Sequence, residues 1–232
     1  MILQHPLPTV LTDLGPPPPI SARAEEALER IWRRDLADPD RLLFNGTLFS
    51  VAAIEKGRIA GHFIEYRRYH AQRREPGLFP ELRVRPLAVT GLLEIAEGIV
   101  FGCRGTAVAQ ESGAWELAPA GGIDRDAVID GKIDPATQIV LELHEELGIE
   151  SRQLTRIDPF CVLEDTESHV IDFGIALAAD RKATDLRPSP EYSKVKAVPP
   201  AAIPEFAASL GSSLTLISRL LLAKQGLLPS AD

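Results

Sequence analysis

Three glutamates, Glu142, Glu145 and Glu146, fall within the run Leu141-Glu142-Leu143-His144-Glu145-Glu146-Leu147-Gly148-Ile149. On a helix, where each residue turns by about 100°, their side chains share an arc of about 100°, and Val140, Leu143 and Leu147 take a separate apolar arc. Like charges at i,i+4 cost about 0.2–0.5 kcal/mol per pair, and anions in a last turn oppose the helix macrodipole. A solvated acidic face would bear these costs; a bound divalent cation would remove them. Magnesium, or manganese, takes oxygen ligands and keeps several waters, so a few carboxylates and substrate phosphate oxygens complete its shell.

The elements that must position these groups are legible on either side. Asp134 suits an N-cap, Pro135 the first helical position and Gly148 the residue past the end, so the spacing predicts a helix over Pro135–Leu147. A glycine-rich loop, Pro119-Ala120-Gly121-Gly122, precedes it. Two strands joined near Ala96-Glu97-Gly98 are expected within residues 83–104, a short one over 114–117, and others near 155–163, 169–178 and 193–198. Upstream, Ala24, Leu28, Ile31 and Trp32 recur at helical spacing after Ser21, and a hairpin is expected from strands over 48–54 and 59–66 turning at Lys56-Gly57-Arg58. A last helix is expected over 212–225. Strands with helices on their faces make an α/β or α+β layered domain.

The stretch from Gly122 to Ile149 resembles the Nudix box, a glycine-led loop and helix ending in Arg-Glu-aliphatic-x-Glu-Glu-x-Gly-aliphatic. Glu142, Leu143, Glu145, Glu146, Gly148 and Ile149 match its second half, and Trp115-Glu116-Leu117-Ala118-Pro119-Ala120-Gly121-Gly122-Ile123-Asp124 looks like the strand and loop leading in. The chain departs from the pattern in three places. Leu141 stands where the family has arginine. The loop is longer than usual, Gly122 lying 20 residues before Glu142. Counting back for the first glutamate of the box lands on Ile133, with Asp130 and Asp134 the nearest carboxylates. The resemblance implies an α/β/α sandwich with a mixed sheet over residues 86–232, preceded by an N-terminal extension over 1–85. It also implies divalent-metal-dependent hydrolysis of a nucleoside diphosphate linked to another moiety, with a nucleotide sugar such as ADP-ribose or a UDP- or ADP-hexose as substrate. Nucleotide-sugar binding without cleavage is the alternative.

On that resemblance Glu142, Glu145 and Glu146 are the expected ligands of Mg²⁺ or Mn²⁺, joined by the Gly122 backbone, with Gly121 and Gly122 beside the substrate. Some family members draw a general base from a loop beyond the box, which makes Glu164 and Glu167, in Glu164-Asp165-Thr166-Glu167-Ser168-His169, the candidates here. His169 reads as structural, and Asp172, in an apolar strand, needs a partner if buried. Arginine forks suit diphosphates, which singles out Arg104 and, in Tyr66-Arg67-Arg68-Tyr69-His70-Ala71-Gln72-Arg73-Arg74, Arg67 and Arg68. Trp115 reads as core, and Pro16–Pro19 as a stiff spacer.

Composition narrows the field. The 232 residues carry 33 acidic and 25 basic side chains, a net charge of −8, and a pI near 5.2 argues against gripping a nucleic-acid polymer. Residues 1–90 hold 13 basic and 11 acidic side chains, and residues 91–232 hold 12 and 22, so the acid excess lies in the C-terminal part, of which the three glutamates are only a share. Cys103 and Cys161 sit in apolar contexts and read as small buried hydrophobes in a reducing cytoplasm. The most apolar stretch is broken by Glu94 and Glu97, so no membrane span or membrane partner is expected. The expected partner is a small-molecule nucleoside diphosphate, and a homodimer is open.

Overall fold

The computed structural model describes residues 1–38, 43–105 and 112–229. Along the chain run β1 (Ile2–His5), β2 (Val10–Asp13), α1 (Ala22–Leu36), β3 (Thr47–Glu55), β4 (Arg58–Glu65), α2 (Tyr66–Arg74), α3 (Phe79–Leu82), β5 (Leu87–Ile95) and β6 (Gly98–Arg104). They are followed by β7 (Trp115–Leu117), β8 (Ala120–Gly122), β9 (Val128–Ile129), β10 (Lys132–Ile133) and α4 (Pro135–Leu147). The last are β11 (Leu154–Asp165), β12 (Val170–Ala179), β13 (Tyr192–Val198), α5 (Ile203–Leu210) and α6 (Leu216–Lys224). The mixed α/β architecture is the one expected. Contacts divide it into two compact units, the first made of Met1–Ala88, Gly122–Gln138 and Val162–Asp172, the second of Val89–Gly121, Ile139–Cys161 and Phe173 onward.

In the first unit, β3 and β4 form the expected hairpin, whose turn residues Lys56 and Gly57 take φ values of 43° and 77°. β2 adds to β4 in parallel, so this three-stranded sheet is mixed. Ser21 caps α1, its Oγ accepting from the Ala24 amide at 3.1 Å, and the apolar stripe Ala24, Leu28 and Ile31 is fully buried with Leu48, Ile64 and Val84. The basic segment over 66–74 is a helix, α2, tied to α1 through Asp35. That carboxylate meets His70 Nε2 and Arg74 Nε at 2.9 Å each and Arg34 Nε at 2.7 Å. β1 pairs with residues 162–165 of β11, antiparallel.

In the second unit β6 is the organising strand. It pairs antiparallel with β5 near its start, with β7 on Phe101–Cys103, and with β13 along most of its length. α6 packs on the sheet at Gly174, where a side chain would overlap Leu221, and Ser218 Oγ accepts from the Leu117 amide at 2.8 Å. α5, which apolar periodicity did not reveal, places Phe206 edge-on to Phe101 and Trp115 at 5.1 and 5.5 Å between centroids. That contact makes Trp115 a packing residue. Both cysteines are free; Cys161 is buried, while Cys103, near the end of β6, is only half-buried, unlike the expectation of two buried thiols. No helix among the described residues is long and apolar enough to cross a membrane.

Candidate active site

Helix α4 spans Pro135–Leu147, as its punctuation requires. Asp134 Oδ1 accepts from the Ala136 amide at 3.1 Å and Oδ2 from the Thr137 amide at 3.2 Å, and Gly148, at φ 69°, ends the helix. Ile139, Leu143 and Leu147 are fully buried, which fixes the rotation of the helix about its axis. The three glutamates therefore differ: Glu145 is exposed, Glu142 half-buried, and Glu146 only 3% exposed.

A carboxylate so buried needs partners, and Glu146 has them. Its Oε2 accepts from the Ala120 amide, in β8, which the sequence suggested as a glycine-rich loop, and from the Tyr192 hydroxyl, both at 3.0 Å. The same hydroxyl lies 3.3 Å from Oε1 of Glu116, which accepts from Arg104 Nη1 at 2.7 Å. A phenol has one proton, so the shorter contact to Glu146 is the principal bond and Glu116 relies on Arg104. Burial, and next the charge of Glu142, push the Glu146 carboxyl well above the usual carboxylate range. Burial and the same carboxylates, Glu146 and Glu116, raise the Tyr192 phenol well above its usual value. Burial would lower Arg104, but Glu116 outweighs it and holds the guanidinium charged.

The strand pairing explains how residues so far apart in sequence meet. β6 holds β7 and β13 in register so that Gly102 faces Glu116 and Arg104 faces Tyr192. Gly102 has no side chain, and the Tyr192 ring occupies the space a Cβ would take. Gly121 plays a parallel part in β8, where a Cβ would overlap the Glu142 carboxylate. The bare backbone there lets Glu142 lie against that strand.

Glu142 and the buried Glu116 thus bring carboxylate oxygens beside the buried Glu146, with Glu145 exposed on the same helix. The donor set and the carboxyl held unfavourably by burial and by its neighbour fit a hard divalent cation. As they are placed, no three His, Cys, Asp or Glu side chains among the described residues are grouped so as to hold a metal ion.

The other predicted residues lie as follows. Gly121 lies beside Glu142, and Arg104 joins the carboxylates through Glu116. Gly122 is exposed and belongs to the first unit. So do Glu164 and Glu167. Glu164, 7% exposed, takes Arg85 Nη2 on Oε1 and His5 Nε2 on Oε2, each at 2.7 Å. Burial would raise its pKa, but these two partners hold it below the usual range. Glu167 is exposed in a turn ordered by Asp165, whose Oδ1 accepts its amide at 3.0 Å. His169 stacks on Phe79 at 3.6 Å, the structural role expected. Asp172 is buried, and Asp130 is exposed at φ 49° between β9 and β10. Arg67 is held by Glu25, Glu29 and Glu65, whereas Arg68 lines a cleft. Sequence reasoning missed Glu116 and Tyr192. A charged residue between Trp115 and Leu117 in an apolar strand was a signal for the first; nothing around Tyr192 singled it out.

No family model matches the chain, and no curated protein sequence matches it. Solved structures do. DR0079 from Deinococcus radiodurans aligns at a TM-score of 0.52 with 16% identity, over 75% of this chain and 96% of that one. A Nudix hydrolase from M. smegmatis, RenU, aligns at 0.44 with 18% identity over 64% and 90% of the two chains. A MutT Nudix hydrolase from Burkholderia pseudomallei aligns at 0.42 with 21% identity over 60% and 96%. The first of these likenesses is one of fold.

Proposed function

We propose that this chain hydrolyses the diphosphate linkage of a nucleoside diphosphate derivative, with a nucleotide sugar such as ADP-ribose or a UDP- or ADP-hexose as the substrate class and Mg²⁺ or Mn²⁺ as the cofactor. The observation that carries the reading is the loop–helix unit itself, in which a capped helix delivers Glu146 to the Ala120 amide and Glu142 to the bare backbone of Gly121. Glu142, Glu145 and Glu146 would hold the cation. When bound, such an ion supplies charge neutralisation of the diphosphate and acidification of water. The protein supplies the rest. The Ala120 amide and the Tyr192 hydroxyl fix Glu146 in one rotamer, and Gly121 leaves room for the Glu142 carboxylate. Arg104 pairs with Glu116 at 2.7 Å, so it would meet a diphosphate only through guanidinium donors other than Nη1.

The test is hydrolysis of a panel of nucleoside diphosphate derivatives with Mg²⁺ or Mn²⁺, read as the nucleoside monophosphate and the second phosphate monoester formed, or as phosphate freed from them by an added phosphatase. Wild type is expected to turn over at least one member, and Glu146→Gln to lower kcat by about a hundredfold or more, the scale on which loss of one electrostatic stabiliser acts. Unchanged kcat in Glu146→Gln removes the catalytic assignment. Leu141, where the family has arginine, favours a second reading: binding of the nucleotide sugar without cleavage. Thermal stabilisation by a panel member that is never turned over selects that reading.

A further inference from the structure

The first unit contains a cleft of about 590 Å³, within the range of small-molecule sites. One wall is Pro17-Pro18-Pro19, the segment read from sequence as a spacer; others come from Val51 and Ile64 of the hairpin and from Phe79 of α3. Such a wall of prolines is preformed and loses little entropy on binding. The charges in the lining are Arg68, Arg83, Arg85 and Glu81, with His62.

Their partners decide what the cleft can take. Arg85 is neutralised by Glu164 at 2.7 Å, and Glu81 accepts from the Ser21 hydroxyl. His62 Nδ1 faces the Gly15 carbonyl oxygen at 3.1 Å, so that nitrogen donates. Arg83 spends only its Nε, on the Pro80 carbonyl at 3.1 Å. Among the described residues neither Arg68 nor Arg83 has a carboxylate partner, although Arg67, next in sequence, has three. Arg83, at φ 48°, is the left-handed residue that ends α3, its amide donating to the Phe79 carbonyl.

We propose that this cleft binds a small organic phosphate monoester, its phosphate between Arg68 and Arg83 and its organic body against the proline wall and Phe79. Two guanidinium groups without carboxylate partners match a group carrying a charge of about −1.5 to −2 at pH 7, and their forked donors match its oxygens. The largely apolar lining calls for a ring or chain beyond the phosphate. The proposal stands on the cleft alone and does not depend on hydrolysis by the second unit.

Isothermal titration of the full chain in EDTA tests it, with adenosine 5′-monophosphate, uridine 5′-monophosphate and glucose 1-phosphate as probes and adenosine and inorganic phosphate as controls. At least one ester is expected to bind at least about tenfold more tightly than either control. Arg68→Gln and Arg83→Gln are each expected to weaken it about tenfold or more, Arg68→Lys by less, and exposed Arg73→Gln not at all. Glu146→Gln is expected to bind as wild type. No binding by any ester, equal binding of inorganic phosphate, or an affinity unchanged in a folded Arg68→Gln/Arg83→Gln double variant overturns the proposal. Loss of binding in Glu146→Gln alone would place the ligand in the other unit and also overturns it.

Discussion

Glu146 is the residue on which the site turns, because of the three glutamates on α4 it is the one that the fold buries. A side chain in that position can be held only by groups that approach from other elements, and the Tyr192 hydroxyl is one of two that do. Tyr192→Phe removes the hydroxyl and keeps the ring over Gly102. Loss of one buried hydrogen bond costs about 0.5–1.5 kcal/mol of stability, so the variant is expected to fold. If Tyr192 acts by fixing Glu146, kcat falls about tenfold or more with KM changed little, since the substrate's remote contacts are untouched. Steady-state kinetics on the substrate found by the panel separates the two. A KM rise at constant kcat would make Tyr192 a substrate contact instead. Sequence reasoning found the glutamates because their spacing is local. It could not find Tyr192, whose role depends on β13 pairing with β6 across a long stretch of chain.

Elements bounded by capping residues were read from sequence to the residue, as α4 shows; elements without such punctuation were not. α5 is short, follows two prolines and carries a third, and α2 has a basic sequence that resembles a solvated segment. What makes α2 part of the fold is a contact invisible to periodicity. Asp35, at the end of α1, is buried and accepts from His70, with Arg34 and Arg74 beside it. Burial alone would raise its pKa, but the hydrogen bonds from Arg34 and His70 and the charge of Arg74 take it down to about 2. A folded-state pKa below the unfolded value means that the contribution is complete above about pH 4 and is lost as pH falls toward 2. The shift corresponds to about 2 kcal/mol. Asp35→Asn is therefore expected to lose about 2–4 kcal/mol at pH 7, because it leaves the surrounding cations without their anion, and to show a weaker loss of stability on acidification than wild type. Urea titrations at pH 7 and pH 3 measure both. Parallel acid limbs in variant and wild type would show that Asp35 does not carry this pH dependence.

At the scale of the molecule the net charge of −8 divides unevenly, with 22 acidic against 12 basic side chains in residues 91–232. Two explanations of that excess differ in what they expect of added salt. A diffuse acidic surface is relieved by any electrolyte, because screening depends on ionic strength and has little regard for which cation provides it. A built site is relieved by the cation that fits it. With Glu146 buried beside Glu142 and Glu116, binding an ion to the folded chain stabilises it by mass action, about 1.4 kcal/mol at ten times the dissociation constant. For a chain of this size that corresponds to a rise in Tm of roughly 3–6 °C. Mg²⁺ or Mn²⁺ is therefore expected to raise Tm above the value in NaCl of equal ionic strength, and EDTA to reverse the rise. Glu146→Gln is expected to lose the metal-specific part while keeping the response to ionic strength. Equal shifts with NaCl and MgCl₂ in the wild type would assign the acid excess to the surface as a whole and would leave the three glutamates without a resident ion.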